Sequence, residues 1–236
     1  MSLAASLRSS TVPGLIRCWF AVLCGAVLCG AAWSRPLVAQ PLATPPDAPR
    51  ERGLPVLTNI APADYGGHTQ NWDWVQDPRG FVYVANGNGV LEYDGTRWRT
   101  IGNSMMRDLD VAPDSTVYAS GRADVGYLAP DSTGALQYVS LVHHIPEAQR
   151  PQDSFVSVGV EPDGSHVYYA WRDLLYVWDG TEMSIVRGSD HFPDAERVWF
   201  YMFHRTNDAL YLAGRPHPLV RLDDGVLHPL PSHGSE

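Results

Sequence analysis

Three arginine side chains occupy one repeated position of the chain. Arg122, Arg172 and Arg215 each follow, by four residues, a tyrosine in a short apolar segment. Equivalent positions of a structural repeat lie at similar distances from the repeat axis, so the three guanidinium groups can converge. A guanidinium group binds carboxylate or sulfate oxygens through two parallel hydrogen bonds. The spacing therefore predicts a site for an acidic or polar ligand of the oligosaccharide type.

The same arginines have a local interpretation as well. Asp124 lies two residues after Arg122, and Asp173 directly follows Arg172. Ion pairs between such neighbours occur at exposed turns and contribute little to stability. At the level of sequence both interpretations stay open.

Further polar and aromatic residues extend the predicted ligand site. Asn86 and His217 lie close to the repeated position. Trp74 lies two residues after Trp72, and alternate residues of a strand share one face. Sugar rings stack on such aromatic faces, although packing inside the fold is the competing role. The full set of predicted ligand-binding residues is Arg122, Arg172, Arg215, Asn86, His217 and Trp74.

The sequence offers no constellation that indicates catalysis. His143 and His144 are adjacent, and adjacent side chains of an extended chain point apart, which disfavours a shared metal. The three cysteines all lie within the first 40 residues. The chain contains neither a Gly-x-Ser-x-Gly nucleophile motif nor a phosphate-binding loop. We therefore expect no catalytic residue, no metal and no cofactor.

The first 40 residues have the pattern of a secretory signal peptide. Arg8 and Arg17 precede an uncharged apolar run at residues 18–32. This run is shorter than the roughly 20 apolar residues that span a bilayer. An uncleaved N-terminal anchor is the alternative. Residues 41–52 form a proline-rich linker, and we expect a periplasmic or secreted protein without a membrane span after the signal.

The charge balance beyond residue 40 excludes one class of partner. This part of the chain holds 14 arginines, no lysine and 26 acidic residues, which gives a formal net charge of −12. Binding to phosphate backbones requires a basic surface. We therefore expect no nucleic-acid partner.

Residues 53–236 contain four copies of one strand plan. The repeated tyrosines are Tyr83, Tyr118, Tyr168 and Tyr211, separated by 35, 50 and 43 residues. A four-stranded propeller blade occupies about 40 to 50 residues. Asp-Gly pairs, which favour type I′ hairpin turns, follow three of the four third strands. These pairs are Asp94-Gly95, Asp179-Gly180 and Asp224-Gly225.

The repeats predict an all-β fold made of β-propeller blades. We expect about four four-stranded repeats, near residues 70–101, 104–141, 154–188 and 198–231. A β-sandwich is the alternative, because its short strands also recur at even spacing. The last strand ends near Pro231. We therefore expect an incomplete propeller that follows an N-terminal signal peptide.

The densest part of the pattern lies in residues 53–101. It reads Gln70-Asn-Trp-Asp-Trp-Val-Gln-Asp77, then Gly80-Phe-Val-Tyr-Val-Ala-Asn86, then Gly89-Val-Leu-Glu-Tyr-Asp-Gly95. This stretch resembles the N-terminal portion of the two-component-regulator propeller family, the periplasmic sensor domains of hybrid histidine kinases and related bacterial regulators. The resemblance implies a non-catalytic extracytoplasmic ligand-sensing module, here without its output domain. We also expect a homodimer in the full-length context.

Two other functions remain open from the sequence. One is a secreted propeller enzyme, a hydrolase or lyase, that acts on polysaccharide. The carboxylates that such an enzyme needs are plentiful, but most of them fall in turns, where turn geometry explains them. The other is a secreted binding or scaffold protein with no role in signalling.

Overall fold

A computed structural model describes residues 58–152, 156–216 and 219–231 of the chain. The predicted signal peptide (1–40) and linker (41–52) lie outside the described residues. In the described part of the chain, no helix is long and apolar enough to cross a membrane. The two α-helices there, α1 (Pro62–Tyr65) and α2 (Gly188–His191), have four residues each.

The first two sheets contain four consecutive strands each. Sheet 1 consists of β1 (Asn71–Gln76), β2 (Val82–Asn86), β3 (Gly89–Tyr93) and β4 (Trp98–Ile101). Sheet 2 consists of β5 (Met106–Val111), β6 (Val117–Gly121), β7 (Val125–Pro130) and β8 (Leu136–Ser140). Two short 3₁₀ helices, Val142–His144 and Glu147–Gln149, follow β8.

The last two sheets repeat this arrangement. Sheet 3 consists of β9 (Ser157–Val160), β10 (Val167–Trp171), β11 (Leu174–Trp178) and β12 (Met183–Arg187). Sheet 4 consists of β13 (Trp199–Arg205), β14 (Leu210–Arg215), β15 (Leu219–Asp223) and β16 (Val226–Pro229). In every sheet the strands are antiparallel and follow chain order. The predicted all-β fold with four four-stranded propeller blades is confirmed, and the sheets are called blades 1 to 4 below.

The repeated tyrosines occupy equivalent places in the four blades. Each lies on the second strand, opposite the first-strand residues Val75, Asp110, Gly159 and His204. Tyr83, Tyr118 and Tyr168 all pack in the apolar layer between their own blade and the next. Tyr211 has the same orientation in blade 4. The sequence repeat is therefore a repeat of the packing between blades.

Carboxylates of the first strands join neighbouring blades. Asp73 of blade 1 accepts a hydrogen bond of 2.9 Å from the Leu109 N–H of blade 2. Asp108 of blade 2 accepts bonds from the Val158 N–H (2.9 Å) and the Ser157 hydroxyl (2.5 Å) of blade 3. Since charge-assisted hydrogen bonds are stronger than neutral ones, these contacts fix the register between blades.

The Asp-Gly hairpins use two different turn geometries. Asp224 and Gly225 both have positive φ angles, 49° and 76°, as a type I′ turn requires. At Asp94-Gly95 and Asp179-Gly180 only the glycine has a positive φ, so the type I′ prediction is wrong there. The aspartate instead accepts hydrogen bonds from backbone N–H groups further along the turn. Bonds from the Glu182 and Thr181 N–H groups lower the pKa of Asp179 to about 2.

The first strands of consecutive blades surround a common axis. β1 packs on β5, β5 on β9, and β9 on β13. Within the described residues, β1 and β13 make no comparable contact. Trp72 and Asp73 of β1 instead share cavities near the axis with Met202 of β13.

Candidate functional site

Three of the four first strands carry a β-bulge near their start. The pairing of first and second strands shifts between Asn71 and Asp73, between Met106 and Asp108, and between Phe200 and Met202. The extra residues are Trp72, Arg107 and Tyr201. A bulge frees one residue from the strict alternation of a strand and turns its side chain toward a new direction. The three bulges therefore present three large side chains at the same end of the axis.

These side chains line one cavity, which we call the mouth. The mouth has a volume of about 350 Å³, and all four blades contribute to it. The Arg107 guanidinium carbon lies 6.0 Å from the centre of the Trp72 ring. Tyr201 is 45% exposed and Met202 is 50% exposed. The complete lining is Trp72, Arg107, Asp108, Val156, Ser157, Tyr201 and Met202.

A second, more polar cavity lies next to the mouth. It has a volume of about 460 Å³ and shares Asp108, Ser157 and Met202 with the mouth. Asp73, Asp110 and Arg205 also line it. The Arg205 guanidinium lies 2.9 Å from the Asp110 carboxylate. The path inward from the mouth is therefore lined by three carboxylates, those of Asp73, Asp108 and Asp110, and the last of these is paired with Arg205.

Burial changes the protonation of these axial carboxylates. Desolvation raises the pKa of Asp108 to about 6, and the nearby Asp73 adds to the rise, against the opposing hydrogen bonds from Ser157 and Val158. Desolvation also raises the pKa of Asp110, although Arg205 opposes that rise. Asp108 thus exchanges a proton near neutral pH at the inner edge of the mouth.

The lining of the mouth offers several kinds of contact to a ligand. Aromatic rings from blades 1 and 4 offer flat apolar faces, and Arg107 offers hydrogen-bond donors and a positive charge. Among the residues that the structure describes, no group of three His, Cys, Asp or Glu side chains can hold a metal ion. A ligand with both apolar ring faces and an anionic group would match this lining.

The predicted arginines lie at the same end of the molecule as the mouth. Arg122, Arg172 and Arg215 are all exposed, at the loops between second and third strands or directly before them. Arg172 has a φ of 57°, and its guanidinium carbon lies 4.7 Å from the centre of the Trp171 ring. The seven described residues that line the mouth include none of the three. Their role in ligand binding stays a prediction.

The two aspartates that lie near these arginines in the sequence, Asp124 and Asp173, both have side-chain contacts in the structure. Asp173 pairs with Arg187, at 3.0 Å. Asp124 accepts hydrogen bonds from the Ser140 hydroxyl and the Val125 N–H. Asp173 thus pairs with an arginine of β12, and Asp124 accepts hydrogen bonds from two groups of its own blade.

The other predicted ligand residues differ in how exposed their side chains are. Asn86 is fully buried, and its amide holds the backbone of residues 68, 70 and 88 together with the side chain of Asn71. Trp74 is 67% exposed, on the face of blade 1 that points away from blade 2. Because Trp72 is a bulge residue, the expectation that Trp72 and Trp74 share one face is wrong. His217 lies outside the described residues.

Sequence reasoning did not single out Arg107 or Tyr201. Both follow the start of a first strand, and Trp72 occupies the corresponding place in blade 1. A bulge leaves no distinctive signature in a single sequence, so the shared position of these three residues became apparent only from the strand register.

The fold defines the chain as a β-propeller, and solved propellers share it. The extracellular domain of BT3049 from B. thetaiotaomicron, named as a hybrid two-component system, is 15% identical with a TM-score of 0.50. That match covers 71% of this chain and 25% of that one. A catalytically inactive virginiamycin B lyase from Staphylococcus aureus, with quinupristin, is 12% identical with a TM-score of 0.50, over 75% of this chain and 59% of the lyase.

A second extracellular domain from B. thetaiotaomicron, of the hybrid two-component system BT4673, has a TM-score of 0.48 and 17% identity. It is matched over 70% of this chain and 22% of its own. The chain thus spans a quarter or less of the two extracellular domains that it matches. No family model matches the chain, and no curated protein does. At these identities the likeness shows the fold, and extracellular domains of two-component systems are among the proteins that share it.

Proposed function

We propose that this chain is the ligand-sensing module of an extracytoplasmic signalling protein of the two-component type. The observation that carries the proposal is the mouth, where bulges from three blades direct Trp72, Arg107 and Tyr201 into one cavity. A ligand bound there contacts all four blades at once, so its binding energy acts on their relative positions. That coupling is what a sensor needs in order to report occupancy.

Two further observations support this function. The family resemblance of residues 53–101 implies a periplasmic sensor. The BT3049 and BT4673 domains are likewise named as extracellular domains of hybrid two-component systems. The signal-peptide pattern of residues 1–40 agrees with an extracytoplasmic location. These observations support the proposed extracytoplasmic location.

The proposed ligand is an acidic oligosaccharide. Sugar rings stack on the Trp72 and Tyr201 side chains, and a carboxylate or sulfate group pairs with Arg107. The exposed Arg122, Arg172 and Arg215 at the same end add positive charge that attracts an anionic ligand before it docks. Neutral oligosaccharides would keep the stacking and lose the ion pair.

Binding measurements on matched oligosaccharides test the proposal. Calorimetric titration with sulfated, uronate-containing and neutral oligosaccharides of equal length should show tighter binding of the anionic members. Arg107→Ala should weaken the anionic ligands roughly tenfold or more, since it removes a charge-assisted hydrogen bond. Arg97→Ala, in an exposed hairpin turn of blade 1, is the matched control and should leave affinity unchanged. Equal effects of the two substitutions would contradict the proposed site.

The loop arginines need an experiment of their own. If Arg172 and Arg215 contact the ligand, the double variant Arg172→Ala with Arg215→Ala abolishes binding of the anionic oligosaccharide while the fold stays intact. Full retention of affinity would confine the site to the mouth. Circular dichroism of the variant checks the fold.

An enzyme that acts on polysaccharide is the second candidate. The observation that favours it is Asp108, a mouth carboxyl whose pKa of about 6 suits general acid–base catalysis near neutral pH. Release of new reducing ends or unsaturated products from the same oligosaccharides, lost in Asp108→Asn, would establish this activity and refute the non-catalytic proposal.

A further inference from the structure

A cavity separate from the mouth lies between blades 1 and 2, and we call it the side pocket. Its volume is about 400 Å³, which is large enough for a small molecule. Its lining includes Arg79, Tyr83 and Arg99 of blade 1, and Leu128 and Leu136 of blade 2. It lies beside the turns that join first and second strands, at the end of the blades opposite the mouth. Among the described residues, the two cavities share no lining residue.

One cross-strand row of blade 1 brings charge into the side pocket. Tyr83 of β2 lies opposite Glu92 of β3, and Glu92 lies opposite Arg99 of β4. The Arg99 guanidinium donates to both oxygens of the Glu92 carboxylate, at 2.8 and 3.0 Å. Glu92 is only 8% exposed. A largely buried ion pair therefore lies on the face that blade 1 presents to blade 2.

The junction between blades 3 and 4 shows that the fold does not require this charge. In blade 3 the same row, which begins at Tyr168, continues with Val177 and Ser184. Val177 belongs to the apolar layer between blades 3 and 4. A buried ion pair often stabilises a protein no more than apolar residues of similar volume do, because both charges lose their hydration. The stability of the junction therefore does not explain the Glu92–Arg99 pair.

The tyrosine hydroxyls of the two junctions also differ in their partners. The Tyr168 hydroxyl donates to Glu161 and accepts from the Gly225 N–H, which belongs to the outer hairpin of blade 4. Both hydrogen-bonding functions of that hydroxyl are therefore used. The corresponding hairpin of blade 2 comprises residues 131–135. In the described structure it makes no hydrogen bond to Tyr83, and the side pocket lies between the two.

The Tyr83 hydroxyl keeps a proton that no described residue accepts, although Tyr83 is 0% exposed. Directly after the first strand, blade 1 has Asp77 where blade 3 has Glu161, so the carboxylate is one methylene shorter. Arg79 lies between Asp77 and Tyr83, since it donates to the carboxylate at 2.6 Å and to the hydroxyl at 3.3 Å. Burial and the nearby Glu92 raise the pKa of Tyr83 to about 12. The hydroxyl is therefore a hydrogen-bond donor at neutral pH.

The two arginines of the side pocket add further donors. Arg79 and Arg99 each use Nε and Nη2 on a carboxylate of their own blade. Among the described residues, neither Nη1 has a partner, so two N–H donors remain on each. Together with the Tyr83 hydroxyl, these donors match the oxygens of an anionic group. Leu128 and Leu136 supply apolar surface in the same pocket.

The charges around the side pocket limit how many anionic groups a ligand can carry. Asp77 and Glu92 already pair with Arg79 and Arg99. Asp114 also lines the pocket, and its exposed carboxylate accepts a bond from the N–H of residue 116. A ligand with several negative charges would meet repulsion from these carboxylates. One carboxylate on an apolar body fits both the donors and the apolar surface.

We propose that the side pocket is a second binding site, which takes a small monocarboxylic acid with an apolar body. The carboxylate accepts hydrogen bonds from the Tyr83 hydroxyl and from the guanidinium groups of Arg79 and Arg99. The apolar body lies against Leu128 and Leu136, which removes apolar surface from water. A molecule bound in this way contacts blades 1 and 2 and leaves the mouth free for its own ligand.

Titration with matched acids and amides tests the proposal. Hexanoate and phenylacetate, each compared with its neutral amide, are added to the full chain at neutral pH, and binding is followed in amide NMR spectra. Each acid should bind about tenfold or more tightly than its amide, because only the carboxylate accepts several charge-assisted hydrogen bonds. The largest shifts should occur at Thr116 and Gly134, which line the side pocket, and not at Arg107 or Tyr201 of the mouth.

Two variants separate binding from folding. Tyr83→Phe removes one donor and should weaken both acids about tenfold. Tyr118→Phe, at the equivalent position of blade 2, is the matched control and should leave their affinity unchanged. The double variant Glu92→Val with Arg99→Ser gives blade 1 the row that blade 3 has. It should keep the wild-type circular dichroism spectrum and a urea midpoint at least as high, yet bind the acids at least about tenfold more weakly.

Several results would overturn the proposal. These are the absence of saturable binding of either acid, equal affinity for acid and amide, shifts centred on the mouth, and unchanged binding in Tyr83→Phe. A double variant that fails to fold would show that the Glu92–Arg99 pair is structural. In that case Tyr83→Phe, with Tyr118→Phe as its control, decides whether the side pocket binds the acids.

Discussion

Asp108 takes part both in a blade junction and in the lining of the mouth. Its carboxylate joins blade 2 to blade 3 through the Val158 N–H and the Ser157 hydroxyl, and it also lines the mouth. Hydrogen bonds favour the charged form, whereas burial and the neighbouring Asp73 disfavour it, and the second effect is larger. The protonation of this one side chain therefore affects both a blade junction and the charge that a ligand meets.

The raised pKa fixes the sign of its effect on stability. The folded chain holds the Asp108 proton up to about pH 6, whereas an unfolded chain releases it near the ordinary value of 3.8. The contribution of this proton to stability is therefore complete below about pH 4 and is lost as the pH rises through about 6.

Asp108→Asn should remove this pH dependence. The amide oxygen can still accept the bonds from Val158 and Ser157, and the side chain carries no charge. Relative to the wild type, the variant should gain up to about 3 kcal/mol of unfolding free energy between pH 4 and pH 7, from the pKa difference. Urea unfolding at several pH values measures this. Asp114→Asn, in an exposed turn, is the control, and a constant difference between Asp108→Asn and wild type would contradict the assignment.

At the scale of elements, the hydroxyl of Tyr168 connects two blades. It donates a hydrogen bond to the buried Glu161 of its own blade and accepts one of 2.9 Å from the Gly225 N–H of blade 4. Glu161 also accepts a bond from the Ser165 hydroxyl. The last hairpin of the described chain is thus held by a tyrosine of the preceding blade.

Tyr168→Phe should destabilise the chain by about 2 kcal/mol, because it leaves a buried carboxylate and a backbone N–H without this partner. Tyr211→Phe is the matched control at the equivalent position of blade 4, and its effect should stay within about 0.5 kcal/mol. Thermal or urea unfolding measures both. Equal losses would show that the hydroxyl of Tyr168 does not hold the junction.

The elements were predictable to different degrees. The tyrosine spacing and the alternation of apolar residues identify the blades, because these residues form the layers between blades and burial constrains their type. The bulges were not predictable, because an extra residue in a strand looks like any other residue of that strand. That is why Trp72 was placed with Trp74, and why Arg107 and Tyr201 were overlooked.

The residues that line the mouth were also not predictable from the sequence. The sequence directs attention to the end of the axis where second and third strands are joined, and it names side chains on the loops there. The mouth itself is built from first strands, whose side chains come together only when the blades are arranged around the axis. Asn86 was selected for its position near the loops, whereas its burial follows from contacts with residues 68–71.

At the scale of the whole molecule, the blades differ in how well they are covered. Among the residues that the structure describes, blades 2 and 3 have apolar layers on both faces, while blades 1 and 4 each have such a layer on one face. In a repeat protein, stability is approximately the sum of repeat and interface contributions. The two outer blades should therefore open more often than the two inner ones.

Hydrogen exchange followed by mass spectrometry tests this expectation. In dilute solution, peptides from β1–β2 and β13–β14 should exchange faster than those from β5–β6 and β9–β10, since local opening exposes their amides. Uniform exchange across the four blades would contradict the expected gradient.

The carboxylate contacts between first strands all run in one direction. Asp73, Asp108 and Asp110 each accept from a backbone N–H of the blade that follows in the chain. During synthesis the acceptor therefore always emerges before its donor. Each new blade can therefore form hydrogen bonds to carboxylates of a blade that is already synthesised. Assembly can then proceed one blade at a time from the N-terminal side, before the C-terminal end is made.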